Sequence, residues 1–413
     1  MTGYLERLDA TPAAQRWPLV RGWMQQEAHP FFAEVREQRP VIVLPELTLV
    51  FRHADCALVL RRHGDFGVDL YKPKQGDYFM AQDDTAAHWR EKSIMKAVLD
   101  FEQIPEIRSW VADRAANLLM EANGRIDLPV KLTRQVPVDM VQQFFGLDGQ
   151  DPADLIEWSY WNQQDAFHNQ PFDGQSAARS AEITAGRERS SIRLGLFIGR
   201  LVLRRSIAVK LGLGGDDPIT RLLQISFSDG VKFGVKKVLF NAGGLLIGAV
   251  ETTNHCVNNV MAELFSRPEM LAEAQRLARN SPPETIDGVA LEALRFRPAF
   301  PYFFRTCHRA TEIAGGTPHA QVIQPGTTVL AMTHSAMSDP ASFPDPTRFD
   351  PHRAQGDNFT FGQGIHECLG RAIAKPMLGE IVRQLLLLPG LHEVAPVEFR
   401  SGVPEHYQLA WNG

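Results

Sequence analysis

Phe361-Gly362-Gln363-Gly364-Ile365-His366-Glu367-Cys368-Leu369-Gly370 is the stretch that decides how this 413-residue chain is read. Two glycines ahead of the cysteine permit tight turns and let a large flat ligand lie against backbone. A helical pattern begins directly after Cys368, covering about 369–387. The free N–H groups at the start of that helix favour a thiolate at Cys368. Pro376 lies inside the pattern and removes one helical hydrogen bond, so a kink is expected there.

Working outward, residues 338–353 are a loop rich in Pro and Asp. Strand-like pieces precede it at 302–306, 311–313, 321–323 and 327–331. Helices fit 268–279 and 285–296, separated by Ser281-Pro282-Pro283. A long helix capped by Ser228 or Asp229 runs to Phe265, where Ser266-Arg267-Pro268 stops it. At more than 30 residues it far exceeds the usual length of about 11–12, so it is expected to cross the whole molecule. Its apolar stretch, Val238 to Val250, is shorter than the roughly 20 residues a bilayer span needs, and Glu251 follows at once.

Further upstream, 40–52 reads as two short strands joined by a turn, and His53 to Arg62 as a short helix. Residues 66–87 are loop-like, and helical patterns cover about 88–146. Residues 147–190 are polar but carry Trp158, Tyr160, Trp161, Phe167 and Phe172. They read as a mobile lid or as a helix pair with aromatics packed inward. Another helix fits 190–212, and Pro218 opens the next. The C-terminus reads as a hairpin. The expected fold is mainly α: a single large helical domain over 1–413 with small peripheral β-sheets.

Composition narrows the function. Hydrophobic residues make up 44% and charged residues 22%, which is ordinary for a globular protein. With 43 Lys+Arg against 48 Asp+Glu, the formal charge is −5, a poor basis for general nucleic-acid binding. Four cysteines are too few for a disulfide scaffold and suggest a reducing compartment. No signal peptide or membrane anchor is expected from the N-terminal residues, which points to the cytoplasm.

A thiolate held as Cys368 would be is a natural axial ligand for haem iron. The segment 361–370 closely resembles the haem-binding signature of the cytochrome P450 family, Phe-Gly-x-Gly-x-His-x-Cys-x-Gly, at all six fixed positions. Other motifs follow the family's order. Glu292-Ala293-Leu294-Arg295 resembles its Glu-x-x-Arg helix, whose two charges share one face at i and i+3. In the family an arginine from the later loop joins that pair, with Arg348 the first choice here and Arg353 the alternative. Gly248-Ala249-Val250-Glu251-Thr252-Thr253 resembles the oxygen-groove motif, with Ala249 where glycine is usual. His88-Trp89-Arg90-Glu91-Lys92 resembles a His-x-x-x-Arg element, with Lys92 in place of the arginine.

The resemblance implies the cytochrome P450 fold, with haem b between the long helix and the helix after Cys368. It implies a monooxygenase that inserts one atom of dioxygen into a lipophilic substrate. Cys368 would ligate the iron, and Phe361, Gly362 and Gly370 would shape its loop. His88, Lys92, Arg305 and His366 would meet the propionates, with Lys92 a surface lysine on the alternative reading. Glu251 and Thr252 would deliver protons. Ile247, Gly248, Phe300 and Tyr302 would line a substrate pocket. No fused reductase or ferredoxin domain is expected. Electrons would come from a ferredoxin or flavodoxin with an NAD(P)H-dependent reductase, docking near Arg371 and Lys375. Neither nucleic acid nor a membrane is an expected partner. A peroxide-driven enzyme and a haem-thiolate sensor are the alternatives. A zinc site drawn from His255-Cys256, Cys307-His308 and His366-x-Cys368 is disfavoured, because none has Cys-x-x-Cys spacing.

Overall fold

The computed structural model describes residues 3–228 and 230–412. Three helices that the sequence reading did not anticipate open it: Tyr4–Ala10, Ala13–Gln26 and Ala28–Gln38. Trp17, Val20, Trp23, Phe31, Phe32 and Val35 on them are buried in one apolar cluster, which holds them on the body. The expected strand pair follows as Val41–Val43 and Thr48–Val50, antiparallel. Thr48–Val50 also pairs in parallel with Thr328–Ala331, which in turn pairs with Phe303–Cys307. Phe66–Gly67 completes a five-stranded sheet.

The helices Ala86–Val98, Ile104–Ala122 and Gln135–Phe145 occupy the expected helical region. Asp151 caps Pro152–His168 by accepting from the Ala153 N–H, and Ser176 caps Ala177–Lys210 through the Arg179 N–H. The aromatic segment is therefore a helix pair, the second of the two readings. Its second helix starts 13 residues earlier than expected and is 34 residues long. Pro218 does open a helix, Pro218–Ser226, capped by Asp217.

The long central helix is Val235–Phe265, with Gly234 at its N-cap. Ser228 lies outside it, and Asp229 falls outside the described residues. Most of the helix is buried, and several of its polar side chains bond to neighbouring elements. Asn254 Oδ1 accepts from Thr133, and Asn259 donates to the Pro298 carbonyl. Pro268–Asn280 and Glu284–Phe296 match expectation. Arg371–Leu386 follows the cysteine loop and continues through Pro376, which is buried within it. The C-terminal hairpin pairs Glu398–Arg400 with Val403–His406, and Gln408–Ala410 closes onto Arg125–Asp127. The largest apolar cluster runs from Phe79 to Leu409 and surrounds the central helix.

Candidate functional site

The cysteine loop is built on two backbone conformations that favour glycine: Gly362 has φ +69° and Gly364 φ +76°. A Cβ on Gly364 would lie 2.3 Å from the Leu60 carbonyl oxygen, so only glycine fits there. The Cys368 N–H donates to the Phe361 carbonyl at 2.8 Å, closing the loop. Gly370 is the N-cap of Arg371–Leu386. The Cys368 sulfur lies deep in the protein yet is accessible from a large internal cavity. Burial raises its thiol above the ordinary range; the Gly370 N–H, the Lys92 ammonium and the Arg371 N–H oppose this without reversing it. The helix N-terminus alone therefore does not make a thiolate. A metal cation is what deprotonates a coordinating thiol outright.

The cavity has a volume of about 870 Å³, towards the upper end of the roughly 300–1,000 Å³ common for ligand pockets. Phe361, Gly362, His366, Cys368 and Gly370 form one wall. The central helix contributes Ile247, Gly248, Ala249, Thr252 and Thr253, and the strand Phe303–Cys307 contributes Phe303 and Arg305. Phe300 lies just before that strand and also faces in. Thr252 Oγ1 donates to the Gly248 carbonyl at 2.6 Å, which leaves its lone pairs free for the cavity.

Haem is a fair test of this cavity, because it brings a flat macrocycle and two carboxylates. His366 is half-buried, and among the described residues both of its ring nitrogens are buried without a partner. Burial first, then the Arg305, His88 and Lys92 charges, press its pKa down to about 2, so the ring is neutral. Arg305 is 5% exposed; its guanidinium donates to the Phe304 carbonyl at 2.8 Å and lies beside the Tyr71 hydroxyl, with no carboxylate bonded to it among the described residues. A buried cation and an imidazole with unused nitrogens call for carboxylate partners, and Cys368 supplies a soft ligand on the same wall. The residues present fit the group.

His88 and Lys92 depart from the expected geometry. They lie behind the loop instead of lining the cavity. The His88 ring nitrogens contact the Phe79 and Ile365 carbonyls at 2.9 and 3.2 Å. Lys92 donates to the Ile365 carbonyl and, at 3.0 Å, to the Glu367 carbonyl. Lys92 is 6% exposed, so the surface-lysine alternative fails, and burial lowers its pKa to about 8. Both residues hold up the backbone that presents the cysteine.

Three further expectations need correction. Arg348 is not the third member of the Glu292–Arg295 network. Arg295 donates to Glu292 at 3.0 and 2.8 Å, and Arg353 Nε reaches Glu292 Oε1 at 3.2 Å. Arg348 is exposed and offers only its backbone carbonyl, to Arg295 and Arg353. Tyr302 does not line the cavity. Side chains alternate along an extended segment, so Phe303 and Arg305 face in, while Tyr302 turns away and donates to Asp173 at 3.0 Å. Glu251 is not beside Thr252 in space, because consecutive helical residues diverge by about 100°. Its Oε1 is 2.7 Å from Arg134 Nε, and its Oε2 accepts from Asn254 at 3.2 Å. Burial raises its pKa, although Arg134 opposes this.

Among the described residues, the group with metal-ligand spacing is Asp69, Asp83 and His308, which contains no cysteine. Cys256 lines the cavity, and burial pushes its thiol up to about 12. Sequence reasoning missed Asn162, Gln163, Arg187 and Ser191, which also line the cavity. The spacing 187, 191, 194, 198 is a one-face helical pattern that would have found two of them.

A family model described as Cytochrome P450 matches residues 216–388. The chain is 29% identical over 332 residues to the erythromycin C-12 hydroxylase of Saccharopolyspora erythraea, covering 79% of this chain and 78% of that one. It is 27% identical to the cytochrome P450 monooxygenase PikC of Streptomyces venezuelae, covering 74% and 68%. Among solved structures it resembles cytochrome P450 CYP109Q5 from Chondromyces apiculatus with a TM-score of 0.77 at 22% identity, covering 94% and 96%. It also resembles the open cytochrome P450 Eryk from S. erythraea with a TM-score of 0.76 at 23% identity, covering 93% and 95%. These structural likenesses establish the fold, and the sequence relatives carry the activity. With the cysteine loop, the cavity behind it and these relatives in agreement, the chain belongs to the cytochrome P450 family and is a haem-dependent monooxygenase.

Proposed function

We propose that Cys368 would ligate the iron of bound haem, that His366 and Arg305 would hold its propionates, and that Thr252 handles protons on the facing wall. One observation carries this assignment. The Cys368 sulfur and the Thr252 hydroxyl line one cavity whose edge holds the unpaired His366 ring nitrogens and the Arg305 guanidinium. Bound haem supplies the activation of dioxygen, and thiolate ligation adds electron density that favours O–O cleavage. The chain's own residues do the rest. Phe361, Gly362 and Gly370 give the macrocycle a flat wall, and His88 and Lys92 keep the cysteine loop in place. Thr252 can accept a hydrogen bond over the cavity, and it can pass on its own hydroxyl proton when it lets go of the Gly248 carbonyl. Glu251 serves as a proton carrier only when its carboxylate leaves Arg134. That guanidinium also touches Glu405, whose side chain is 22% exposed and so offers contact with solvent.

Members of this family draw electrons from redox partners and act on lipophilic substrates. The partner proposed here is a ferredoxin or flavodoxin served by an NAD(P)H-dependent reductase. Lys375 is an exposed cation on the helix after Cys368 and is available for docking, whereas Arg371 is already paired with Glu367. Ile247, Gly248, Phe300 and Phe303 would bound the substrate. Among the described residues no helix is long and apolar enough to cross a membrane. We place the enzyme in the cytoplasm as a single domain over 1–413.

The test is the ferrous carbon-monoxide spectrum. The wild type should give the red-shifted band of thiolate ligation, and Cys368→Ser or Cys368→His should abolish it. An imidazole-type band in the wild type would overturn the assignment.

A further inference from the structure

The cavity has a polar corner that the oxygen chemistry does not use. Arg187 and Ser191 face it from the helix Ala177–Lys210, followed on the same face by the apolar Leu194 and Ile198. Asn162 and Gln163 meet them from the helix Pro152–His168. Ser191 donates to Asn162 Oδ1 at 2.8 Å, and Gln163 is 2% exposed with its Oε1 unpaired.

The charge balance of the cavity is one-sided. Lys74, Arg187, Lys236 and Arg305 line it, and among the described residues no Asp or Glu does. Arg305 serves the cofactor edge. Lys236 is 71% exposed and paired with Asp77. Lys74 directs its ammonium to the Asp165 carbonyl, Asp165 Oδ1 and the Asn169 carbonyl. Among the described residues, Asp165 is the carboxylate that Lys74 and Arg187 both contact. Arg187 Nε is 3.3 Å from Asp165 Oδ2 but too poorly aligned to bond, so that N–H is buried without a partner. The other nearby carboxylate, Glu188, is 61% exposed and 3.7 Å away. Two cations therefore share one carboxylate beside an apolar chamber. The Lys74 and Arg187 side chains are 18% and 26% exposed, so the excess positive charge is partly desolvated, and an anion relieves that cost. A guanidinium with free donors matches a carboxylate in shape as well as charge.

We propose that the substrate is an amphiphile whose apolar body ends in a carboxylate. The carboxylate docks on Arg187, and the apolar body fills the cavity lined by Ile247 and Phe300. This rests on the monooxygenase reading of the same cavity and adds a substrate class to it.

Binding to the holoenzyme tests it without turnover. The iron's spin-state shift is titrated with dodecanoate, with 6-phenylhexanoate and with the methyl ester of each. At least one acid should bind the wild type about 10-fold or more tighter than its ester, the scale expected for a charge-assisted pair. Arg187→Gln should erase that preference while leaving ester affinity unchanged, and Arg187→Lys should keep part of it. Equal affinities in the wild type, no shift with either acid, or a preference that survives Arg187→Gln would overturn the proposal. The wild-type comparison decides the matter even where a variant loses its cofactor. The carbon-monoxide band separates the two readings. A thiolate band with no acid preference refutes the substrate class alone, whereas its absence in the wild type refutes the cysteine assignment.

Discussion

Arg353→Ala and Arg348→Ala should differ sharply in stability, although both arginines sit in the same loop and either could be drawn into the Glu292 network on paper. Glu292 and Arg295 have side chains with 0% exposure. Glu292 Oε1 accepts from Arg295, from the Asp350 N–H at 3.0 Å and from Arg353 Nε at 3.2 Å. The Arg353 side chain is 11% exposed and also donates to the Pro344 and Arg348 carbonyls at 2.8 and 3.1 Å. Its removal deletes a hydrogen bond to a buried charge, worth about 1.5–3 kcal/mol. The Arg348 side chain makes no contact in the network, and the carbonyl it contributes survives truncation. A surface change of that kind stays within about 0.5 kcal/mol. The assay is urea unfolding of holoenzyme variants matched for haem content, followed by far-ultraviolet circular dichroism. For a slope near 3 kcal/mol/M, Arg353→Ala should lower the midpoint by roughly 0.5–1 M and Arg348→Ala by less than about 0.2 M. Equal losses, or a larger loss for Arg348→Ala, would refute the geometry of the network.

Thr252→Ala should keep oxygen consumption while product falls and hydrogen peroxide rises; unchanged product yield would remove Thr252 from proton handling. Tyr302→Phe should leave ligand-induced spin shifts intact and cost about 1 kcal/mol of stability for its lost bond to Asp173, whereas Phe303→Ala should change ligand affinity. A ligand effect confined to Tyr302→Phe would show the strand register to be wrong. Burial presses the pKa of His168 to about 4 and those of His255 and His334 to about 3. Below about 6.5 the unfolded chain takes up protons that these rings refuse. Stability should therefore fall as pH drops from about 6.5 towards 4, by up to about 1.4 kcal/mol per unit per ring. His255→Phe should flatten that slope by one ring's share, and parallel profiles for variant and wild type would exclude the effect.

The parts legible in the sequence are those set by short-range chain geometry. The loop 361–370 needs glycine at two positive-φ positions and a cysteine at the start of a helix, and a motif ten residues long records all of that. Glu292 and Arg295 pair across one helical turn, so their spacing is enough to find them. The central helix announces itself by an apolar run that no strand of ordinary length would carry. Two of these features identified the cofactor and the family, and the third placed the helix facing it.

Tertiary structure decided what depends on partners distant in sequence. Glu251 meets Arg134 from 117 residues away, and that contact turns its carboxylate off the cavity. Arg353 displaced Arg348 because the loop's path, which no local pattern specifies, aims one side chain inward and leaves the other in solvent. Tyr302 gave way to Phe303 because pairing with Thr328–Ala331 sets which alternate side chains face the cavity. Lys92 is buried behind the loop because the Ile365 and Glu367 carbonyls come within its reach. The sequence by itself determined which chemistry is present, since a cysteine loop of this kind is a local object. Only the fold determined which side chains share a cavity, since that follows from packing between elements hundreds of residues apart.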